Sequence, residues 1–279
     1  MKTDFKRLIL ITGVFFISFS ARSQGTLVDS IPFAYNYNNI VIDAIINDTI
    51  RTKVLFDTGT YGLLVVDSLN VYDGSESKKY LQIGNIRKEY YDYPKGILDS
   101  SPKENPVFRT LGVGAVAGWE IFEDKIIQIS YKDKCIKVFD NIEEPIGYSR
   151  LEMRNENNCW GVPGTIILHG KCIEEYVLVD TGNGTTLTLN AYIQDKYAID
   201  LTNTQQGYTS TTAGREQRSI VTCDTIKVGD SFMVNQRVAF RDISRRSPFA
   251  GLLGNSFLGK QELILDFKNG ICYIKTVEQ

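Results

Sequence analysis

The chain writes one plan twice, and that repeat restricts the folds open to it more than any other feature. The first copy begins "NIVIDAIINDTIRTKVLFDTG" (39–59) and the second "GTIILHGKCIEEYVLVDTG" (164–182). Each reads as two alternating, β-branched strands about a polar turn (Asn47-Asp48; His169-Gly170-Lys171), which is a hairpin pattern. Each ends on Asp-Thr-Gly, so Asp57 and Asp180 stand 123 positions apart. Both copies continue with a short strand ending in Gly and a small polar residue, "LQIGN" (81–85) and "IKVGD" (226–230). Both close on an apolar or small pair and a glycine (Gly118, Gly254), a short helical turn and a strand-turn-strand. There Tyr131-Lys132-Asp133 matches Phe267-Lys268-Asn269. Three landmarks recur in one order. The intervals differ: copy two is longer between its Asp-Thr-Gly and the Gly-ended strand and shorter after it, which predicts unequal loops over any shared site.

Nearly every segment reads as a short strand between turn residues, so the expected class is all-β with two lobes. The helical exception is "NAYIQDKYA" (190–198), with Asn190 as its expected cap. "NIEEPIGYSRLEMRNENN" (141–158) is polar, has no strand pattern and reads as a linker between lobes at 24–140 and 159–279. Residues 1–23 read as a secretory signal: a basic start (Lys2, Lys6, Arg7), an apolar run too short to span a bilayer, then Ala21-Arg22-Ser23 before Gln24. The expected mature protein is exported, periplasmic or secreted, and not integral to a membrane. Removing 1–23 takes away four basic residues (Lys2, Lys6, Arg7, Arg22) and Asp4, which moves the formal net charge from −2 to about −5. That disfavours nucleic acid or an anionic membrane as partner. The five cysteines (Cys135, Cys159, Cys172, Cys223, Cys272) form no C-x-x-C pair and no metal spacing, and read as buried free thiols, with one or two disulfides as the alternative. His169, the one histidine, falls in a hairpin turn and reads as structural.

An acid that ends an apolar strand is aimed outward from a rigid base, and the following glycine permits a sharp turn and a close approach. If the two loops meet about a pseudo-two-fold axis, Asp57 and Asp180 face each other. Two carboxyls at hydrogen-bonding distance share one proton and titrate as a unit. Such a pair holds a water between its oxygens. The ionised member takes a proton as the water attacks a carbonyl, and the protonated member supports the developing oxyanion. That chemistry needs no metal and no cofactor.

The paired "FDTGT" (56–60) and "VDTGN" (179–183), each followed by an apolar-apolar-Gly element, resemble the aspartic peptidases. The likeness is to retropepsin-like bacterial aspartyl proteases, here with two lobes in one chain as in pepsin-type enzymes, and it covers about residues 30–275. The resemblance implies two tandem acid-protease-like β-barrel lobes with the active site between them. It implies Asp57 and Asp180 as the catalytic pair, Thr58 and Thr181 in the interlocking hydroxyl role, and Gly59 and Gly182 at the turns. Thr60 would support the outer oxygen of Asp57. Asn183 breaks that symmetry, with an amide able to donate in its place. The substrate would be a peptide or protein, and one chain holding both loops predicts an active monomer.

A flap should close over the site. "GYTSTTAGREQRSIV" (207–221), turning at Ala213-Gly214, is the candidate in copy two, with "NVYDGSESKK" (70–79) a stubby counterpart and "YYDYPKGILDSSPKENPVFRTLG" (90–112) an extra wall or lid. Tyr208 and Tyr72 are the candidates for a flap tyrosine. Two rival readings are a catalytically inactive peptide-binding relative and a plain β-protein with both acids in exposed turns. Two intact Asp-Thr-Gly sequences favour the peptidase, because a binding module gains nothing from two repelling carboxylates.

Overall fold

The computed structural model describes residues 25–65, 79–90, 106–211, 214–243 and 247–277. The expected signal segment, the stubby counterpart up to residue 78, residues 91–105 of the extra wall and the turn residue Ala213 lie outside them. Strands dominate the described residues, gathered into three sheets, so the all-β expectation holds.

The first sheet has seven strands. Its backbone is the hairpin of β3 (Asn39–Ile46) and β4 (Ile50–Asp57), turned by Asn47 and Asp48 at φ 49° and 62°. Positive φ at both central residues is what a two-residue turn needs to match strand twist, and Asn and Asp tolerate it. Parallel to β4 runs β8 (Ala115–Gly118), which places Asp57 beside Gly118, and β5 (Leu63–Val65) pairs β8 from its other side. The sheet is completed by β2 (Ala34–Asn36), β6 (Lys79–Ile83) and β7 (Ile86–Tyr90).

The second sheet, of eight strands, repeats that connectivity. The hairpin of β13 (Cys159–Leu168) and β14 (Lys171–Val179) turns at His169 and Gly170, φ 49° and 73°. The single histidine is thus a turn residue, as expected. Strand β19 (Gly251–Leu253) runs parallel to β14 and β15 (Leu187–Asn190) pairs β19, as β8 and β5 do in the first sheet. Beyond β15 come β18 (Ser231–Arg241), β17 (Gly214–Val228) and β16 (Gln205–Thr211). A second pairing of β17 with β13 curls the sheet back on itself.

The third sheet draws six strands from both repeats: β1 (Leu27–Pro32), β10 (Cys135–Phe139), β9 (Ile126–Ser130), β20 (Gln261–Asp266), β21 (Ile271–Thr276) and β11 (Ser149–Glu152). At its centre Ile129 lies across from Leu263 and Ile127 across from Leu265, all fully buried. One apolar cluster runs through both repeats, from Phe56 and Phe122 to Val179 and Phe257. At about 25 cal/mol per Å² of buried apolar surface, this shared core is the main force joining the halves.

Two sequence expectations need correction. The stretch read as a strandless linker contains β11 and β12 (Arg154–Glu156), which pair with β21 and β13. Both are edge strands in which polar residues dominate, so backbone pairing rather than an apolar pattern recruits them. The helix expected over 190–198 is α2 (Tyr192–Lys196), and Asn190 does not cap it. Asn190 is instead the buried last residue of β15, its N–H donating to Ala250 O at 2.8 Å. Among the described residues the other helices are α1 (Pro106–Leu111) and α3 (Asn255–Leu258), with a 3-10 turn at Trp119–Phe122. The turn and α3 follow Gly118 and Gly254, where helical turns were expected.

None of the five cysteines forms a disulfide; Cys159, Cys223 and Cys272 are buried as expected, Cys135 is partly so, and Cys172, against expectation, is exposed. Burial pushes the thiols of Cys159 and Cys223 up to about 11, so they stay protonated at neutral pH.

Candidate active site

Strands β4 and β14 end at the same place, and the loops that follow them interlock. The Thr58 N–H donates to Thr181 Oγ1 at 2.9 Å, and the Thr181 N–H to Thr58 Oγ1 at 3.1 Å. Each hydroxyl then donates onward across the junction, Thr58 to Val179 O at 2.6 Å and Thr181 to Phe56 O at 2.9 Å. Both threonines are at most 1% exposed. In so dry a place every one of these groups must be satisfied, and each threonine satisfies the other's loop.

This lock brings the two carboxyls together. The Gly59 N–H donates to Asp57 Oδ1 at 2.8 Å and the Gly182 N–H to Asp180 Oδ1 at 3.0 Å. The glycines are needed for approach. A Cβ at Gly182 would overlap the Asp57 carboxyl, and one at Gly59 would lie 2.9 Å from Asp180 Cγ. The group that comes so close is the opposite carboxyl, rather than a backbone.

The environments of the two acids differ. Thr60 Oγ1 donates to Asp57 Oδ2 at 2.8 Å, as expected from the sequence. Asn183 does not do the same for Asp180. Its amide nitrogen points to Leu252 O at 3.4 Å, and its Oδ1 accepts from the N–H and hydroxyl of Thr185 at 3.1 and 2.9 Å. Burial raises the pKa of both acids, opposed at Asp57 by the bonds from Thr60 and Gly59. Asp180 is raised well above the usual carboxylate range, by burial first and then by the charge of Asp57. Bonds to an ionised oxygen favour ionisation, so the pair, which titrates as a unit, keeps its shared proton chiefly on Asp180.

A second layer holds each loop from beneath, and the sequence reading missed it. The Trp119 N–H donates to Thr60 O at 3.2 Å, and the Asn255 N–H to Asn183 O at 2.7 Å, so each glycine-ended element carries the shoulder of its own loop. Their side chains reach across to the other repeat. Trp119 Nε1 donates to Asn158 O at 2.9 Å. Asn255 Nδ2 donates to Thr181 O at 2.6 Å and to Asn38 O at 2.7 Å, and its Oδ1 accepts from the Tyr131 hydroxyl at 2.7 Å. The two acceptors are matched turns, Tyr37-Asn38 (φ 49° and 59°) and Asn157-Asn158 (φ 52° and 61°). A signal for them exists in the sequence, where "NYNN" (36–39) and "NENN" (155–158) precede β3 and β13 in step.

The flap candidate of copy two is the hairpin of β16 and β17, and β16 runs beside α1 of the other repeat. Tyr208 is exposed at the side of this hairpin with the Arg215 guanidinium 4.2 Å from its ring centre. Tyr72 lies outside the described residues. No helix among the described residues is long and apolar enough to cross a membrane. A scan against protein-family models finds no match, and a search of curated proteins finds none either.

Proposed function

We propose that the chain is an aspartic endopeptidase that hydrolyses peptide bonds with a water activated by Asp57 and Asp180. The observation that carries this reading is the reciprocal Thr58–Thr181 lock, which holds a half-buried acid and a buried one together at the ends of matched strands. Exposed turn acids would not need it. Juxtaposing two carboxyls in a buried site costs stability unless their shared proton is used. In this reading the matched strand connectivity of the first two sheets is that of two acid-protease lobes about a pseudo-two-fold axis, with substrate between them under the β16–β17 hairpin.

The chemistry follows from where the proton sits. Asp57, ionised and held by Gly59 and Thr60, takes a proton from the water as its oxygen bonds to the scissile carbonyl carbon. Asp180 passes its proton to the carbonyl oxygen, which leaves a neutral gem-diol. The C–N bond then breaks as Asp57 gives its proton to the departing nitrogen, and Asp180 recovers one from the gem-diol. Both acids return to their starting states. Because one chain supplies both loops, the active unit is a monomer. Export through residues 1–23 is part of the same proposal.

The test is cleavage of a mixed peptide library by the chain from Gln24, across about pH 3–8, the range over which a carboxyl pair titrates. Asp57→Asn and Asp180→Asn variants run beside it. Loss of cleavage in both, with folding intact, is the expected result. Peptides bound but never cut would favour an inactive peptide-binding relative, and cleavage surviving both substitutions would end the proposal.

A further inference from the structure

The arm of β16, β17 and β18 carries charge that the acid pair does not use. Strand register fixes which side chains share a face. Gly207 stands across from Arg218, Gln205 and Ala239 flank Ile220, and Thr222 stands across from Arg237. Side chains alternate between faces along a strand. Glu216, Arg218, Arg237 and Arg241 therefore lie on one face, and Tyr208 with Arg215 on the other.

On the shared face Arg241 pairs with Glu216, and its side chain is only 9% exposed. Its backbone stands across from Asn190 of β15, and its charge opposes the rise in the Asp180 pKa, so this end of the face leads toward the acid pair. Arg237 donates to Gln205 Oε1 at 2.6 Å. Arg218 sits under the field of Arg237, its pKa lowered by burial and then by that like charge, and its buried Nε has no hydrogen-bond partner. From Glu216 to Asp224 and across to Arg237 and Arg241, three guanidiniums meet two carboxylates. The face is cationic on a chain whose formal net charge is −2. Like charges on neighbouring strands repel, and guanidinium forks match carboxylates geometrically. Because β16 runs beside α1, the arm reaches from one repeat to the other.

We infer that this face selects acidic peptide segments for the Asp57/Asp180 site, an inference that rests on the peptidase reading. Carboxylates of the bound chain take the remaining donors of Arg218 and Arg237, and the segment runs along the arm toward Arg241 and the acid pair. Arg218 and Arg237 are specificity residues in this scheme and touch no reacting atom.

The experiment uses two peptide pools, one rich in Asp and Glu and one identical except for Asn and Gln in their place, at about pH 6, where peptide carboxylates are ionised. At low salt the acidic pool is expected to be cut with about tenfold higher kcat/KM, carried by KM, as two partly exposed charge pairs would give. The preference shrinks as salt is added. Arg218→Gln and Arg237→Gln bring the ratio toward one, and Arg218→Glu inverts it. Equal cleavage of the two pools by the unsubstituted chain at low salt overturns the inference. Binding of both pools to the Asp57→Asn/Asp180→Asn double variant separates the two claims. If neither pool is cut by the unsubstituted chain but the acidic one binds preferentially, the peptidase reading falls and the acidic-segment site stands. If binding shows no preference, the site falls whatever is cut.

Discussion

Glu120 offers the most decisive test of the physics beneath the first loop. It is 2% exposed, and the only donors that bear on its carboxyl are the backbone N–H groups of Gly62 and of Glu120 itself, with geometry too poor for full hydrogen bonds. Burial lifts its pKa from 4.5 to about 7, opposed by the backbone N–H groups of Glu120 and Gly62 and then by Lys88, and helped by the Glu123 charge. Tyr90, buried with its hydroxyl unpartnered, feels the Glu120 charge from β7. A raised acid pKa means the native chain holds the proton after the unfolded chain has lost it. Below about pH 4.5 both states are protonated and Glu120 costs nothing; stability then falls until about pH 7 and levels off. The gap corresponds to about 3 kcal/mol at pH 8. Glu120→Gln removes the titration and nearly keeps the shape. Its buried amide adds an offset that does not vary with pH. Urea unfolding of parent and variant at pH 4, 6 and 8, followed by fluorescence of Trp119 and Trp160, isolates the effect. The dyad titrates in both proteins and cancels. The stability of Glu120→Gln relative to the parent should rise by about 3 kcal/mol from pH 4 to pH 8. A difference that stays constant with pH would refute the claim that burial of this carboxyl outweighs the groups that favour its charge.

Three further outcomes are expected. Thr58→Ala and Thr181→Ala each remove one donated and one accepted bond in a dry site, and each should lower stability by about 2–4 kcal/mol in urea unfolding. Trp119→Phe keeps the ring contacts with Trp160 and Phe267 but strands Asn158 O, which should cost about 1–3 kcal/mol by the same assay. Thr60→Val takes a hydroxyl from the Asp57 carboxylate, so the acid limb of the kcat/KM profile against pH should move upward, while the limb set by Asp180 moves less.

What the sequence disclosed about fold and site was whatever the chain states locally. Asn47-Asp48 and His169-Gly170 announce their turns because positive φ is tolerated by few residue types, and both turns form where expected. The loops Asp57-Thr58-Gly59 and Asp180-Thr181-Gly182 stand at strand ends because the apolar runs before them are buried whole. What stayed hidden depends on partners distant in sequence. Trp119 with Asn158, Asn255 with Asn38, and the Arg241 charge with Asp180 are products of the third dimension. Asn190 misled for a related reason: Asn is a good cap in general, but here burial in β15 claims it first. Strands β11 and β12 were missed because an edge strand with a polar outer face carries no apolar period.

In the proposed mechanism the departures from symmetry explain the division of labour better than the symmetry does. Two identical acids in identical surroundings would share a proton evenly, and neither would be committed as base or acid. Here one substitution between the copies breaks the tie. Thr60 turns its hydroxyl toward Asp57, while Asn183, at the matched position, spends its carbonyl on Thr185 and its amide on Leu252. The supporting layer diverges in the same sense. Trp119 holds the first loop only through its backbone N–H to Thr60 O, its indole reaching Asn158 O instead, while Asn255, 1% exposed, donates its side-chain amide to the second loop itself at Thr181 O. The Arg241 charge limits how far the Asp180 pKa climbs, which in the proposed mechanism keeps its proton transferable. The repeat brings two carboxyls into contact; the residues that differ between its copies decide which one starts with the proton.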